Sequence, residues 1–108
     1  MDLKQLALSY FEIFSRKDLH SLVTKFNEDT TLRDWENSAD GIDAVMAIYK
    51  SIFDSVETIQ ATPIAVYQDG NTIIAELDIL INGTDRILVT DIIKFKDDKI
   101  SSVHAYKG

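Results

Sequence analysis

Residues Ile87 to Phe95 read ILVTDIIKF, and their alternation decides the fold. Successive side chains of an extended strand point to opposite faces. Ile87, Val89, Asp91, Ile93 and Phe95 therefore share one face, and Arg86, Leu88, Thr90, Ile92, Lys94 and Lys96 the other. The first face is apolar except for Asp91, so it belongs against a core. An ionised carboxylate buried without a partner is so unfavourable that the group tends to take up a proton instead. Either a neighbouring tyrosine or backbone group meets the hydrogen bonds of Asp91, or the carboxyl is an acid in a working site.

The run before it has the same two-sided character. Between Asn71 and Asn82, Ile73, Ala75, Leu77, Ile79 and Ile81 form an apolar face, while Glu76 and Asp78 fall on the other. From about Val56 onward, turn signals at QDGN (68–71), NGTD (82–85) and KDDK (96–99) separate four strand-like runs. Consecutive hairpins of this kind make an antiparallel meander. Pro63 lies inside the first run and predicts an edge position or a bulge, because proline cannot donate to a central ladder. Leu88 and Ile92 are left on the polar face, which predicts a partly covered outer surface and a homodimer formed through it.

The N-terminal half has helical spacing instead. Leu3, Leu6, Ala7, Tyr10, Phe11 and Phe14 recur at three- and four-residue intervals on one stripe. After the polar turn SRKD, a second short helix is predicted from Leu19, Leu22, Val23 and Phe26, with Asp18 as its N-cap and NED as its end. Thr30 to Trp35 reads as a short strand with Thr30, Leu32 and Asp34 on one face and Thr31, Arg33 and Trp35 on the other. A loop, ENSADG, leads to a third helix whose stripe is Ile42, Val45, Met46, Tyr49, Ile52 and Phe53. The pattern predicts an α+β fold, three N-terminal helices packed on a curved, mostly antiparallel sheet, as one domain spanning 1–108.

Composition narrows the function. A chain of 108 residues with 45% apolar content has enough material for one core and too little for a second domain. It has no cysteine, so neither a disulfide nor a thiolate metal site is available. With 11 basic and 18 acidic residues the net charge is -7, which argues against nucleic acid, anionic membrane surfaces and phosphate-rich ligands as partners. The amphipathic start MDLKQLALSYFEIF is not built as a signal or transit peptide, and no apolar run reaches membrane-spanning length. A soluble, cytoplasmic protein is the expectation.

Three polar groups project from apolar faces: Tyr10, Asp34 and Asp91. Two carboxyls in environments of different burial have their pKa values pushed apart, which is a basis for acid/base work. Each has a plainer reading. Asp34 can end a strand and cap a turn, Tyr10 and Tyr49 can be core tyrosines, Trp35 can be ordinary packing, and His104 a structural or rim histidine.

The segments YFEIFSRKDLHSLVTKFNEDTTLRD, GIDAVMAIYKSIF and ILVTDIIKFKDDKI, in this order, resemble the ketosteroid isomerase branch of the NTF2-like (SnoaL-like) superfamily over nearly the whole chain. The resemblance implies a cone-shaped domain of the cystatin-like type with a deep pocket. It implies Asp34 as general base, Tyr10 and a protonated Asp91 as donors to an oxyanion, and Tyr49 as the tyrosine that supports Tyr10. The protonated state of Asp91 comes from the resemblance; its place on an apolar face comes from the residues. Phe14, Trp35, Met46, Phe53, Val89 and His104 are expected to line the pocket.

The implied reaction is proton transfer alpha to a carbonyl, with Asp34 removing the proton and returning it to another carbon while the enolate oxygen is held by Tyr10 and Asp91. It needs no cofactor and no metal, and His20 and His104 lack metal-ligand spacing. Two features depart from the family. Trp35 follows the base where the isomerases usually have proline, after which the loop to Gly41 is short, and Ser102, His104 and Tyr106 are expected to form a polar rim. Both point to a ligand smaller or more polar than a steroid: a small apolar carbonyl or phenol-like compound. The other readings are a non-catalytic module that binds such a ligand or dimerises, and a hydrolase or dehydratase, for which only Arg33 and Arg86 offer arginine partners.

Overall fold

The computed structural model describes residues 2–108. The chain opens with helix α1 (Leu3–Ser15), whose N-cap Asp2 accepts a hydrogen bond from the Lys4 N–H at 2.9 Å. Ala7, Tyr10, Phe11 and Ile13 are its buried residues. Helix α2 (Leu19–Val23) is capped by Asp18, whose carboxylate accepts from the Ser21 N–H at 3.1 Å. An acidic N-cap satisfies donors that the first helical turn leaves free.

Two sequence expectations fail in the next stretch. Phe26 does not continue α2 but begins strand β1 (Phe26–Arg33), so NED lies inside a strand. The cause is pairing with a distant segment: β1 runs parallel to the last strand, with Phe26 opposite Ile100 and Leu32 opposite Val103. The Ile100 N–H also donates to the Lys25 carbonyl at 2.8 Å. Helical spacing of four residues cannot reveal a tertiary ladder of this kind. ENSADG is likewise not all loop, since Ser38–Asp40 forms strand β2, antiparallel to β1 with Ala39 buried opposite Leu32.

Helix α3 (Ile42–Ser55) follows Gly41, whose φ of 91° is one that residues with a Cβ rarely adopt. Then come strands β3 (Ile59–Asp69), β4 (Thr72–Ile81), β5 (Asp85–Lys96) and β6 (Lys99–Lys107), the expected meander. The β4–β5 hairpin turns on Asn82 and Gly83, both at positive φ, which matches the twist of the flanking strands. Sheet order is β2-β1-β6-β5-β4-β3. Pro63 satisfies both of its expectations, for β3 is an edge strand and its register shifts between Pro63 and Ala65.

The sheet is curved and mixed, parallel only between β1 and β6. Its concave face carries the expected residues, and Ile73, Ala75, Leu77, Val89, Asp91, Ile93 and Phe95 are all buried. Residues of α1 and α3 share that core. One buried side chain is poorly served. Thr30 is fully buried, and its hydroxyl has no hydrogen-bond partner among the described residues. A buried hydroxyl left unpaired costs about 1–3 kcal/mol, and valine has nearly the same shape. Thr30→Val is therefore expected to raise the unfolding free energy by about 1 kcal/mol in a urea titration, and a loss of stability would show that the hydroxyl is satisfied.

Candidate active site

The helices do not fill the concave face completely. Between α1, α3 and the inner faces of β1 and β3 to β6 lies a cavity of ≈ 80 Å³. Its walls are mainly apolar: Phe11, Phe14, Leu32, Trp35, Ile52, Ala61, Leu77, Ile79, Val89, Val103 and Ala105. Four polar side chains also line it, and they are Tyr10, Asp34, Tyr49 and Asp91. Residues far apart in sequence thus meet in one mainly apolar space.

Asp91 sits in the middle of β5, opposite Ala75 of β4 and Ala105 of β6. Two methyl side chains beside it leave room for the cavity. The residue is only 6% exposed, and no hydrogen bond reaches its carboxyl among the described residues. Burial first, and then the charge of Asp34, raise its pKa from 3.8 to about 7. A carboxyl in this condition is ready to carry a proton and to donate it in a hydrogen bond to a ligand oxygen.

Tyr10 and Tyr49 are buried and joined at their hydroxyls by a hydrogen bond of 2.6 Å. Burial pushes both phenols well above their ordinary pKa, and the nearby Asp91 charge adds to the effect. Both remain neutral donors. When the Tyr49 hydroxyl donates this hydrogen bond to the Tyr10 oxygen, the Tyr10 hydroxyl is free to donate to a ligand. Their rings belong to an aromatic cluster, with Tyr10 edge-on to Phe26 at 6.0 Å and to Tyr49 at 6.3 Å. Such contacts hold the rings without needing polar groups.

Asp34 follows the last residue of β1 and does two things at once. One carboxylate oxygen accepts from the Glu36 and Asn37 backbone N–H groups at 2.8 and 2.6 Å, and the other from the Asn37 side-chain amide at 3.2 Å. It closes a tight turn, as its plainer reading expects. It also lines the cavity. The short loop after it leaves Trp35 at the cavity mouth, 45% exposed.

Of the expected wall residues, Phe14, Trp35 and Val89 line the cavity, while Met46, Phe53 and His104 do not. Phe53 is turned into the aromatic cluster, 5.5 Å from Phe14, and so stands behind the wall. Met46 is a partly buried residue packed against the core. His104 is on the outer face because the alternation of β6 is broken. Phe95 pairs with Ile100 but Lys94 with Ser102, so one extra residue reverses the parity. Val103 and Ala105 take the inner positions, and the expected polar rim of Ser102, His104 and Tyr106 faces outward. The cavity is more apolar than the sequence implied. Ile52 was visible on the stripe of α3, but Ala61, Val103 and Ala105 carry no local signal for a cavity. Among the described residues, no three His, Cys, Asp or Glu side chains gather as a metal site.

The SnoaL-like domain model matches residues 7–103. The chain belongs to the SnoaL-like domain family. Solved structures agree on the fold. A cystatin-fold protein from Novosphingobium aromaticivorans superposes with a TM-score of 0.84 at 14% identity, covering 97% of each chain. A protein from Shewanella denitrificans designated a SnoaL-like polyketide cyclase gives 0.86 at 14% identity over 98% of this chain and 90% of that one. One from Kribbella flavida designated a ketosteroid isomerase gives 0.82 at 15% identity over 98% of this chain and 77% of that one. No curated protein is matched by the sequence at significant similarity. Identities this low speak for shared architecture, not shared activity.

The SnoaL-like scaffold holds the Asp91 proton more tightly than the unfolded chain does. Stability contributed by this group is therefore fully present below pH 3.8, falls as pH rises through about 7, and is level above that. Asp91→Asn removes the dependence. Relative to the parent, the variant is expected to gain on the order of a few kcal/mol between about pH 4 and 8, measured by urea unfolding at each pH. A difference that does not change with pH would show that the fold does not hold the carboxyl neutral.

Proposed function

We propose that this SnoaL-like protein binds a small, largely apolar carbonyl compound and moves a proton alpha to the carbonyl through an enolate. The observation that carries the reading is Asp91, a buried carboxyl without a hydrogen bond among the described residues, in the same apolar cavity as Tyr10 and Asp34. A donor that the protein leaves unused suits an oxygen supplied by a ligand. In the reaction, Asp34 takes the proton from carbon, and Tyr10 and protonated Asp91 donate to the oxygen as negative charge develops there. Asp34 then delivers the proton to a second carbon. Atoms balance within one substrate, so no other reactant enters. Donors fixed in an apolar site act more strongly than they do in water, because they need no reorganisation as the charge forms.

A second reading is favoured by the three N–H groups that occupy Asp34. If they tie the carboxylate to its turn, the cavity is a binding site without a base. The two readings part at turnover. A phenol that mimics the enolate is expected to bind to the parent protein and to Asp34→Asn alike. Isomerisation of a small β,γ-unsaturated ketone, followed by ultraviolet absorbance, is expected in the parent and lost by about 100-fold or more in Asp34→Asn. Phenol binding without turnover in the parent would select the binding module. Absence of phenol affinity would remove the oxyanion site.

The same proposal includes a homodimer through the outer sheet face. Tyr67, Ile74 and Ile92 form one cross-strand row on that face, and Leu88, 53% exposed, lies further along the same face of β5, beyond Thr90. An apolar patch of this type fits a second copy related by two-fold symmetry. Sedimentation is expected to give a dimer at micromolar concentration and a monomer for Leu88→Glu. A monomeric parent would exclude this interface.

A further inference from the structure

A second concavity, of ≈ 300 Å³, continues from the cavity mouth and shares Asp34, Trp35 and Ala105 with it. Its other walls are Arg33, His104, Tyr106 and Lys107. The character changes sharply across Trp35. On the inner side the lining is apolar; on the outer side it combines two permanent cations with exposed aromatic rings, Trp35 at 45% and Tyr106 at 57%. Asp34 is the one carboxylate among these walls, and its oxygens are occupied by turn N–H groups. Arg33 is paired with Asp40 at 3.3 Å. Lys107 has no carboxylate partner among the described residues, and its ammonium lies 6.0 Å from the centre of the Trp35 ring.

A chain of net charge -7 repels anions at long range, so an anion that binds at this groove depends on the local cations Arg33 and Lys107. We propose that the groove seats a carboxylate at the tail of the ligand whose apolar part enters the cavity. Lys107 meets the carboxylate, Arg33 adds positive potential beside it, and Trp35 covers the stem that joins tail to head. The bulge in β6 makes this geometry. By reversing parity it turns Lys107 inward toward the mouth, while His104 and Tyr106 stay on the outer side of the groove. One free cation beside one already paired suits a monoanion better than a multiply charged phosphate. The substrate class is therefore an unsaturated or cyclic keto acid with the carboxylate separated from the carbonyl by an apolar spacer. The assignment of head and tail rests on the enolate reading of the cavity.

Trp35 is the only tryptophan, so its emission reports directly on the groove. The test titrates 4-(4-hydroxyphenyl)butanoate, 4-phenylbutanoate and the methyl ester of each at low salt, following Trp35 emission with calorimetry alongside. Each acid is expected to bind about 5-fold tighter than its ester, the upper end for an exposed ion pair. The preference is expected to shrink at high salt and to vanish in Lys107→Gln, with ester affinity unchanged and Lys107→Arg restoring the acid. Equal affinity of acid and ester, a preference that survives Lys107→Gln, or no binding of either acid would overturn the groove. The gain from the phenol hydroxyl, read between the two acids, reports on the oxyanion site separately. Failure there with the acid preference intact would overturn the enolate reading and leave the carboxylate site standing.

Discussion

A carboxyl only 6% exposed, on an apolar strand face, is the constraint on which the site depends. Asp91 occupies a position that its strand reserves for apolar side chains, and it has no compensating hydrogen bond among the described residues. Burial disfavours its charged form, which is why it binds a proton near neutral pH. This condition requires the rest of the fold. β5 must be a central strand, the helices must cover its concave face, and the flanking Ala75 and Ala105 must leave the carboxyl a space to point into.

The helices supply the second half of the arrangement. Tyr10 and Tyr49 reach each other from α1 and α3, and their rings are fixed by Phe14, Phe26 and Phe53 around them. Aromatic packing does the positioning, so each hydroxyl needs only one protein partner and the pair retains a proton to donate. Asp34 is held differently, by the turn that it closes. A base fixed by its own loop depends on that loop, and here the loop also sets Trp35 at the mouth. Cavity and groove therefore meet at a single turn of chain.

Much of this was legible before any tertiary structure. Alternation puts Asp91 among four apolar neighbours on its strand, turn residues mark every hairpin of the meander, and Pro63 marks an edge position or a bulge, of which the structure has both. Resemblance assembled Tyr10, Asp34, Tyr49 and Asp91, and all four line one cavity. Two of the errors share one origin. Helical spacing assigns Phe26 to a helix although a parallel ladder claims it, and simple alternation turns His104 inward although a bulge near Ser101 reverses the parity. Both depend on the partner strand, which a local pattern does not contain.

The sequence by itself determined which side chains face inward on β4 and β5, because alternation in a half-buried strand is a local property imposed by the cost of burying polar groups. It determined the helical stripes for the same reason. Only the tertiary structure decided that β1 lies parallel to β6, that Val103 and Ala105 replace the polar residues of β6 at the cavity, and that a cationic groove opens beside Trp35. Register, bulges and cavities arise from how separate segments fit, and close packing settles them only when every segment is in place.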